Sequence, residues 1–219
     1  MTTTTVRVYK DLKGENSKWA KASRELLRSK GVKMVNLIGS PGSGKTALLE
    51  TMHARMRDRL RLAVLEGDIE TTRDADRLAA LGIPVSQLLT GGACHLEAKL
   101  VHRALRDLPL DNLDMVVVEN VGNLVCPAEF DVGENAKIAV LSVTEGEDKP
   151  LKYPLLFREA KAALLTKADL LPHLDYDLHR CYDFIRQVNG DLPIFEVSSK
   201  TGLGIEAWMD WLTGPAWEA

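Results

Sequence analysis

Apolar and polar positions along this chain fall into blocks of two kinds. Short, nearly continuous apolar runs, each the length of a buried strand, are separated by longer stretches in which apolar residues recur at helical spacing. The short runs cover residues 35–38, 61–66, 85–90, 115–119, 137–142, 162–166 and 193–197. The longer stretches predict helices over 47–59, 73–81, 96–106, 177–189 and 205–212. Ahead of the first run, Trp19, Ala22, Leu26 and Leu27 are spaced as one face of an amphipathic helix within residues 16–30. Strands of this kind alternating with helices predict an α/β fold, a mostly parallel sheet with helices on both faces. There is no internal repeat and no linker long enough to divide the chain. The expected organisation is an N-terminal extension with its helix over residues 1–32 and one domain over residues 33–219.

The turn after the first run carries the chemistry. Residues 39–46 read Gly-Ser-Pro-Gly-Ser-Gly-Lys-Thr, a complete GxxxxGK[ST] loop between a strand and a helix, which is the context that a P-loop NTPase requires. Gly39, Gly42 and Gly44 let the backbone turn tightly and, with Ser43, form the phosphate-binding loop. The positive end of the following helix adds to the same anion site. Lys45 is expected to reach the β- and γ-phosphates, and the Thr46 hydroxyl to be a magnesium ligand. The chain is expected to bind a nucleoside triphosphate.

Strand ends converge on one crevice in an open parallel sheet, and two of them carry acids here. Asp68 follows the second strand and Glu119 ends the fourth. Both suit magnesium, directly or through water, because that ion prefers oxygen ligands. With Lys45 they form the expected catalytic set. The alternative for Asp68 is a cap on a helix beginning near Thr71. Gly122 would let a backbone N–H approach the γ-phosphate. Further on, residues 165–169 read Leu-Thr-Lys-Ala-Asp, which resembles the [NT]KxD guanine-recognition motif of GTPases. The Asp169 carboxylate would accept two hydrogen bonds that adenine cannot supply, and the stem of Lys167 would lie across the base. Thr166 stands where Asn is more frequent, which leaves one hydrogen bond to a loop or to the base open. Ser198 and Ser199, with Lys200, resemble the SAK loop that faces the guanine carbonyl. GTP and GDP are therefore the expected nucleotides.

A net charge of −3 on 219 residues offers no support for nucleic-acid binding. The first residues contain no apolar segment like that of a signal peptide, and the longest apolar runs are far too short to cross a bilayer. A cytoplasmic location without a membrane association is the expectation. Three cysteines in such a chain read as free thiols or metal ligands rather than disulfide partners. Cys94 and His95 follow Gly91-Gly92-Ala93 at the mouth of a predicted helix, and Cys126 follows the stretch from Glu119 to Gly122. Thiolate and imidazole are ligands that suit nickel and zinc. The alternative is that both cysteines are small core residues and that His95 is a helix-end or surface residue.

The stretches Thr-Gly-Gly-Ala-Cys-His-Leu at 90–96 and Glu-Asn-Val-Gly-Asn-Leu-Val-Cys-Pro at 119–127 closely resemble the hydrogenase nickel-incorporation GTPases, the HypB-type maturation factors. Residues 145–154 are similar to another signature of that family. The resemblance implies a cytoplasmic GTPase that helps deliver nickel to the immature large subunit of a [NiFe]-hydrogenase. It also implies a GTP-linked homodimer, nickel or zinc held by Cys94, His95 and Cys126, and a metallochaperone partner in the maturation pathway. A urease-type nickel GTPase is the alternative, although its Cys-Pro-His motif is absent. A metal-binding module with a vestigial nucleotide site, or an ATP-dependent carrier, would differ in class. Intact Lys45, Thr46, Asp68 and Asp169 speak against the vestigial site, and Ser40 stands where the carrier ATPases place a second lysine.

Residues 1–32 carry neither Cys nor His, so no tight N-terminal nickel store is expected. His53, His102, His173 and His179 read as surface or helix-face residues and Cys181 as core. Asn123 follows Gly122 where a Ras-like site would place a water-orienting glutamine.

Overall fold

The computed structural model describes residues 5–56, 59–68 and 72–215, with side chains from residue 14 onward. Helix α1 (Thr5–Lys30) leads into β1 (Lys33–Gly39), and α2 (Lys45–Met56) follows the glycine-rich loop. Then come β2 (Leu62–Asp68), α3 (Arg73–Ala80), β3 (Val85–Leu89), α4 (Ala98–Asp107), β4 (Met115–Glu119), α5 (Cys126–Glu129) and β5 (Ala136–Ser142). The chain continues through α6 (Lys149–Lys152), α7 (Pro154–Glu159), β6 (Ala160–Thr166), α8 (Leu178–Val188), β7 (Ile194–Glu196) and α9 (Ile205–Thr213). Thr71, the expected helix start, and the first four residues expected to carry no signal segment lie outside the described residues. So do residues 57–58 of the helix expected over 47–59.

The strands form one seven-stranded, parallel sheet in the order β3-β2-β4-β1-β5-β6-β7. The chain winds outward from β1 in both directions, so the loops that follow β1 and its neighbour β4 open on the crevice where ligands of such sheets bind. The seven apolar runs of the sequence are these seven strands. The short helices α5, α6 and α7 had no sequence signal, because each is four to six residues long and too short for a helical period to register.

Alternation along β1 assigns the helices to faces. Val35 and Leu37 pack with Leu48, Leu49 and Met52 of α2 and with Trp208 and Met209 of α9. Met34 points to the other face, among Leu27 of α1 and Val101 and Leu105 of α4. Ile38 joins Leu156 and Phe157 of α7 and Ile185 of α8 there, and fully buried Cys181 belongs to that cluster as expected. Each such leucine contributes about 1.5–3 kcal/mol by leaving water. None of the described helices is long and apolar enough to cross a membrane.

A polar group interrupts this second face. Asn36, fully buried on β1, donates to Glu134 Oε1 at 3.4 Å and accepts from Asn120 Nδ2 at 3.1 Å. Glu134 Oε2 takes the Val132 N–H at 2.7 Å, and Asn120 Oδ1 takes the Val121 N–H at 2.9 Å. Buried polar groups persist when they are mutually satisfied, as here.

Helix α1 ends on Gly31, whose φ of +67° lets its N–H reach Arg28 O while Val32 N–H returns to Leu27 O. That left-handed glycine stop is a common helix terminus. The helix is tied down by Asn16, which donates to Asp131 O at 2.7 Å and accepts from Ala98 N at 2.9 Å. His102 lies on a face of α4, as expected. It is half-buried between α1 and α4, with Nδ1 3.3 Å from Ser23 Oγ and its ring against Trp19.

Candidate functional site

The loop from Gly39 to Thr46 curls over the end of β1, and close contact is built into its sequence. A side chain at Gly39 would collide with Val140 O and Ser43 Oγ, while Gly42 and Gly44 adopt φ of +74° and +91°. Ser43 Oγ is buried without a hydrogen-bond partner. Lys45 lies folded onto the loop, its Nζ 3.4 Å from Gly39 O and 3.3 Å from Ser40 O. Burial pushes its pKa down, and nearby Glu119 pulls it back up.

Thr46, at the start of α2, donates to Glu119 Oε1 at 2.7 Å. The cavity around this pair, about 450 Å³, is also lined by Lys45, Glu66, Asp68 and Gly122. Lys45, Thr46, Asp68 and Glu119 are thus brought together. Thr72 occupies the N-cap position of α3. Burial lifts the Glu119 carboxyl to about 7, against the pull of Lys45 and the Thr46 hydroxyl. Glu66 was not singled out in the sequence, because an acid at the end of an apolar run looks like its border. In the structure it is buried beside Glu119 and is lifted to about 8 by burial and by repulsion from Glu119 and Asp68. Oε2 of each glutamate is buried without a partner. The donor set of hydroxyl and carboxylate oxygens, with two oxygens unsatisfied, fits a hard divalent cation such as magnesium.

A second cavity, about 420 Å³, opens on the other side of the loop and is lined by Gly44, Thr166, Lys167, Asp169, Leu170 and Ser199, among others. The hydrogen bond left open at Thr166 is resolved here. Its hydroxyl donates to Ser43 O at 2.5 Å, so threonine ties this loop to the glycine-rich loop. Lys167, in the left-handed conformation at φ +58°, reaches Gly42 O at 2.7 Å and makes a second tie. Ser198 is buried and donates to Asp169 Oδ1 at 2.6 Å, fixing that carboxylate at the cavity wall. The Asp169 loop and the Ser198–Ser199 loop therefore meet as their order in the sequence predicts.

Cys94, His95 and Cys126 converge as well. Their ligand atoms lie within 4.8 Å of one another, with the two sulfurs 2.7 Å apart and Cys94 Sγ 3.6 Å from His95 Nδ1. The core alternative for the two cysteines fails, because Cys94 is exposed and Cys126 only half-buried. Cys94 and His95 lie in an irregular turn ahead of α4 rather than on it, which frees both side chains to face one point. Cys126 opens α5, directly after the loop that leaves β4. The His95 ring stacks on Phe130 with centroids 3.8 Å apart, a support that no spacing in the sequence announces. Burial lowers the His95 pKa, which favours the neutral imidazole that ligates metals.

Two contacts join this thiol cluster to the nucleotide cavity. One is covalent, since the segment leaving Glu119 passes Gly122 and reaches Cys126, and Asn123 Nδ2 donates to Cys94 O at 3.2 Å along the way. The other is packing. Leu96, fully buried, sits on Gly67, where any side chain would meet its Cδ1 at 2.8 Å.

Comparison with known proteins gives the family. The family model of the CobW/HypB/UreG nucleotide-binding domain matches residues 33–196. Hydrogenase maturation factor HypB of Escherichia coli K12 is 46% identical over 202 residues, which span 92% of this chain and 70% of that protein. The hydrogenase/urease maturation factor HypB of Helicobacter pylori is 37% identical over 211 residues, spanning 94% of this chain and 86% of that protein. The crystal structure of HypB from Helicobacter pylori in complex with nickel superposes with a TM-score of 0.88 at 36% identity, covering 93% of this chain and 96% of that one. HypB from Archaeoglobus fulgidus superposes with a TM-score of 0.86 at 35% identity, covering 93% and 99%. Similarity to an LAO/AO transport system kinase, at 18% identity and a TM-score of 0.54 over 97% of this chain and 76% of that one, concerns the fold alone. The chain belongs to the CobW/HypB/UreG family and, within it, to the HypB hydrogenase maturation factors.

Proposed function

We propose that this protein is a GTPase that carries nickel, with zinc as a competing occupant, for insertion into a [NiFe]-hydrogenase. Guanine is read by Asp169 with Thr166, Lys167, Ser198 and Ser199. Gly39, Gly42, Ser43, Gly44, Lys45, Thr46 and Gly122 hold the phosphates. Thr46, Asp68 and Glu119 hold magnesium, which when bound neutralises phosphate charge. Lys45 contributes where charge develops on the transferring phosphoryl group. The metal cargo sits on Cys94, His95 and Cys126. The working form is a cytoplasmic homodimer whose residues 33–219 act as one GTPase domain with residues 1–32 as an extension. Its partners are a second maturation metallochaperone and the hydrogenase large-subunit precursor.

The observation that carries this reading is the pair of routes from the thiol cluster to the nucleotide cavity, the segment from Glu119 to Cys126 and the seat of Leu96 on Gly67. Nickel in complex with a similar chain from Helicobacter pylori supports the choice of cargo. A γ-phosphate that repositions Gly122 must also move a metal ligand. Nickel affinity should therefore differ between the GDP state and the state with a non-hydrolysable GTP analogue, and by linkage nickel should change the preference between those nucleotides by the same factor, typically about 5–150. Competition titration with a chromophoric chelator in both states measures it. Equal affinities would leave a GTPase that merely binds metal, and the coupled delivery proposed here would be wrong.

A further inference from the structure

The parallel register sets Glu66 of β2 directly opposite Glu119 of β4. Both lie on the α2 face, following Val64 and Val117 at the period of two that governs strands. Glu66 is 3% and Glu119 5% exposed. Like charges at facing strand positions repel, and an ionised carboxylate buried without a partner is costly. Two such groups side by side either keep their protons or take a positive occupant between them.

Among the described residues, Lys45 and Arg77 pull on these acids without pairing with either. Lys45 Nζ rests on the carbonyls of Gly39 and Ser40. Arg77, which also lines the cavity, is committed to Glu50 through two bonds of 3.0 and 2.9 Å and to Asp74 at 2.8 Å. Glu119 spends one oxygen on the Thr46 hydroxyl, and each glutamate keeps a buried oxygen, Oε2, with no partner.

We infer that Glu66 is a positioning residue of the magnesium site, an outer carboxylate that accepts hydrogen bonds from water bound to the ion held by Thr46, Asp68 and Glu119. Magnesium usually keeps several of its waters, and acceptors for them are the natural use of a buried acid one strand away from its ligands. Gly67, pinned by Leu96, separates Glu66 from Asp68 and so fixes the spacing of the two acids. The inference rests on the reading of this cavity as a magnesium–nucleotide site.

The test follows the release of a fluorescent GDP from the full-length protein as free magnesium is varied with a chelator buffer. Two variants are compared, Glu66→Gln, which keeps the shape and one acceptor oxygen, and Glu66→Met, which keeps the volume and has none. The magnesium concentration that half-maximally slows release should rise in the order parent, Gln, Met, by about 10- to 100-fold for Met, the range seen when outer partners of metal ligands are lost. GDP affinity in chelator alone should stay the same, and the Met variant should melt no lower than the parent without magnesium, since it removes a buried polar group that has no partner. An unshifted magnesium dependence overturns the role of Glu66. So does an equal loss of GDP affinity with and without magnesium, or failure of both variants to fold, because either result marks a purely structural residue. If the parent itself shows no response to magnesium, the magnesium reading fails and the inference falls with it.

Discussion

Gly122 and Pro41 are in van der Waals contact across the nucleotide cavity, so close that a single added methyl has no room. A Cβ on Gly122 would lie 2.7 Å from Pro41 Cγ and 2.9 Å from Pro41 N. The segment after β4 is thereby held against the phosphate loop. Gly122→Ala should separate the two by a few tenths of an ångström to an ångström and lower single-turnover GTP hydrolysis by about 10- to 100-fold, the scale of such misplacement. GDP affinity, set largely by the base cavity and the rest of the loop, should change much less. Rapid-quench kinetics at saturating GTP reads the first effect, and a parental rate would show that the contact is incidental.

Base selectivity should follow Asp169. Ser198 fixes one of its oxygens at 2.6 Å, leaving the carboxylate oriented as an acceptor at the cavity wall. Asp169→Asn places a donor against the guanine N–H groups, so GTP should bind about 100-fold more weakly or worse. Xanthosine triphosphate should regain affinity for the variant. Calorimetry with both nucleotides decides, and an Asn variant that binds GTP like the parent would remove Asp169 from base recognition.

The strands and the phosphate loop were legible because their signals are local: an apolar run of the right length, and a glycine spacing that only a tight turn explains. The meeting of Cys94 and His95 with Cys126 was legible as chemistry, but the start of α5 at Cys126 and the stack of His95 on Phe130 were not, since both depend on tertiary packing. Thr166 could be placed by its motif, yet the Ser43 carbonyl it would choose could not be read from the chain. Glu66 was missed for a physical reason. Its burial arises from register with Glu119, and register is invisible until the order of strands is known.

The two glutamates make the nucleotide-free protein sensitive to pH. Glu66 titrates near 8 and Glu119 near 7 when folded, both above the ordinary 4.5. Below about pH 4.5 both states of the chain hold these protons and the folded form loses nothing. As pH rises toward 8 the folded state retains protons that the unfolded state has released, so stability falls. Urea midpoints in chelator, without nucleotide, should drop between about pH 5 and pH 8, and Glu66→Met should flatten the slope. A midpoint that rises over this window would contradict the buried pair.

Asn36 should matter to the segment after β4 without touching nucleotide. It is the link between Asn120, next to Glu119, and Glu134, whose loop receives α1. Asn36→Ala leaves buried donors and acceptors unpaired, at a cost of about 1–3 kcal/mol each. A double-mutant cycle with Asn120→Ala should show coupling of at least about 0.5 kcal/mol, the lower end for residues sharing a network. Strict additivity would mean that the two asparagines do not act as one unit.

The thiol cluster lies at the surface, flanked by exposed Leu89 and Val125, which are 56% and 49% accessible. That placement governs how cargo would leave. A deeply enclosed ion must shed a ligand before another can enter, and it escapes as a free, hydrated species. An ion on three ligands at an open surface retains an unfilled coordination position, so an incoming sulfur or nitrogen can attach before any old bond breaks. Transfer would then proceed by substitution in contact with the recipient. The route would depend on which protein can press its own ligands against Leu89 and Val125, and affinity in dilute solution would be a poor guide to it.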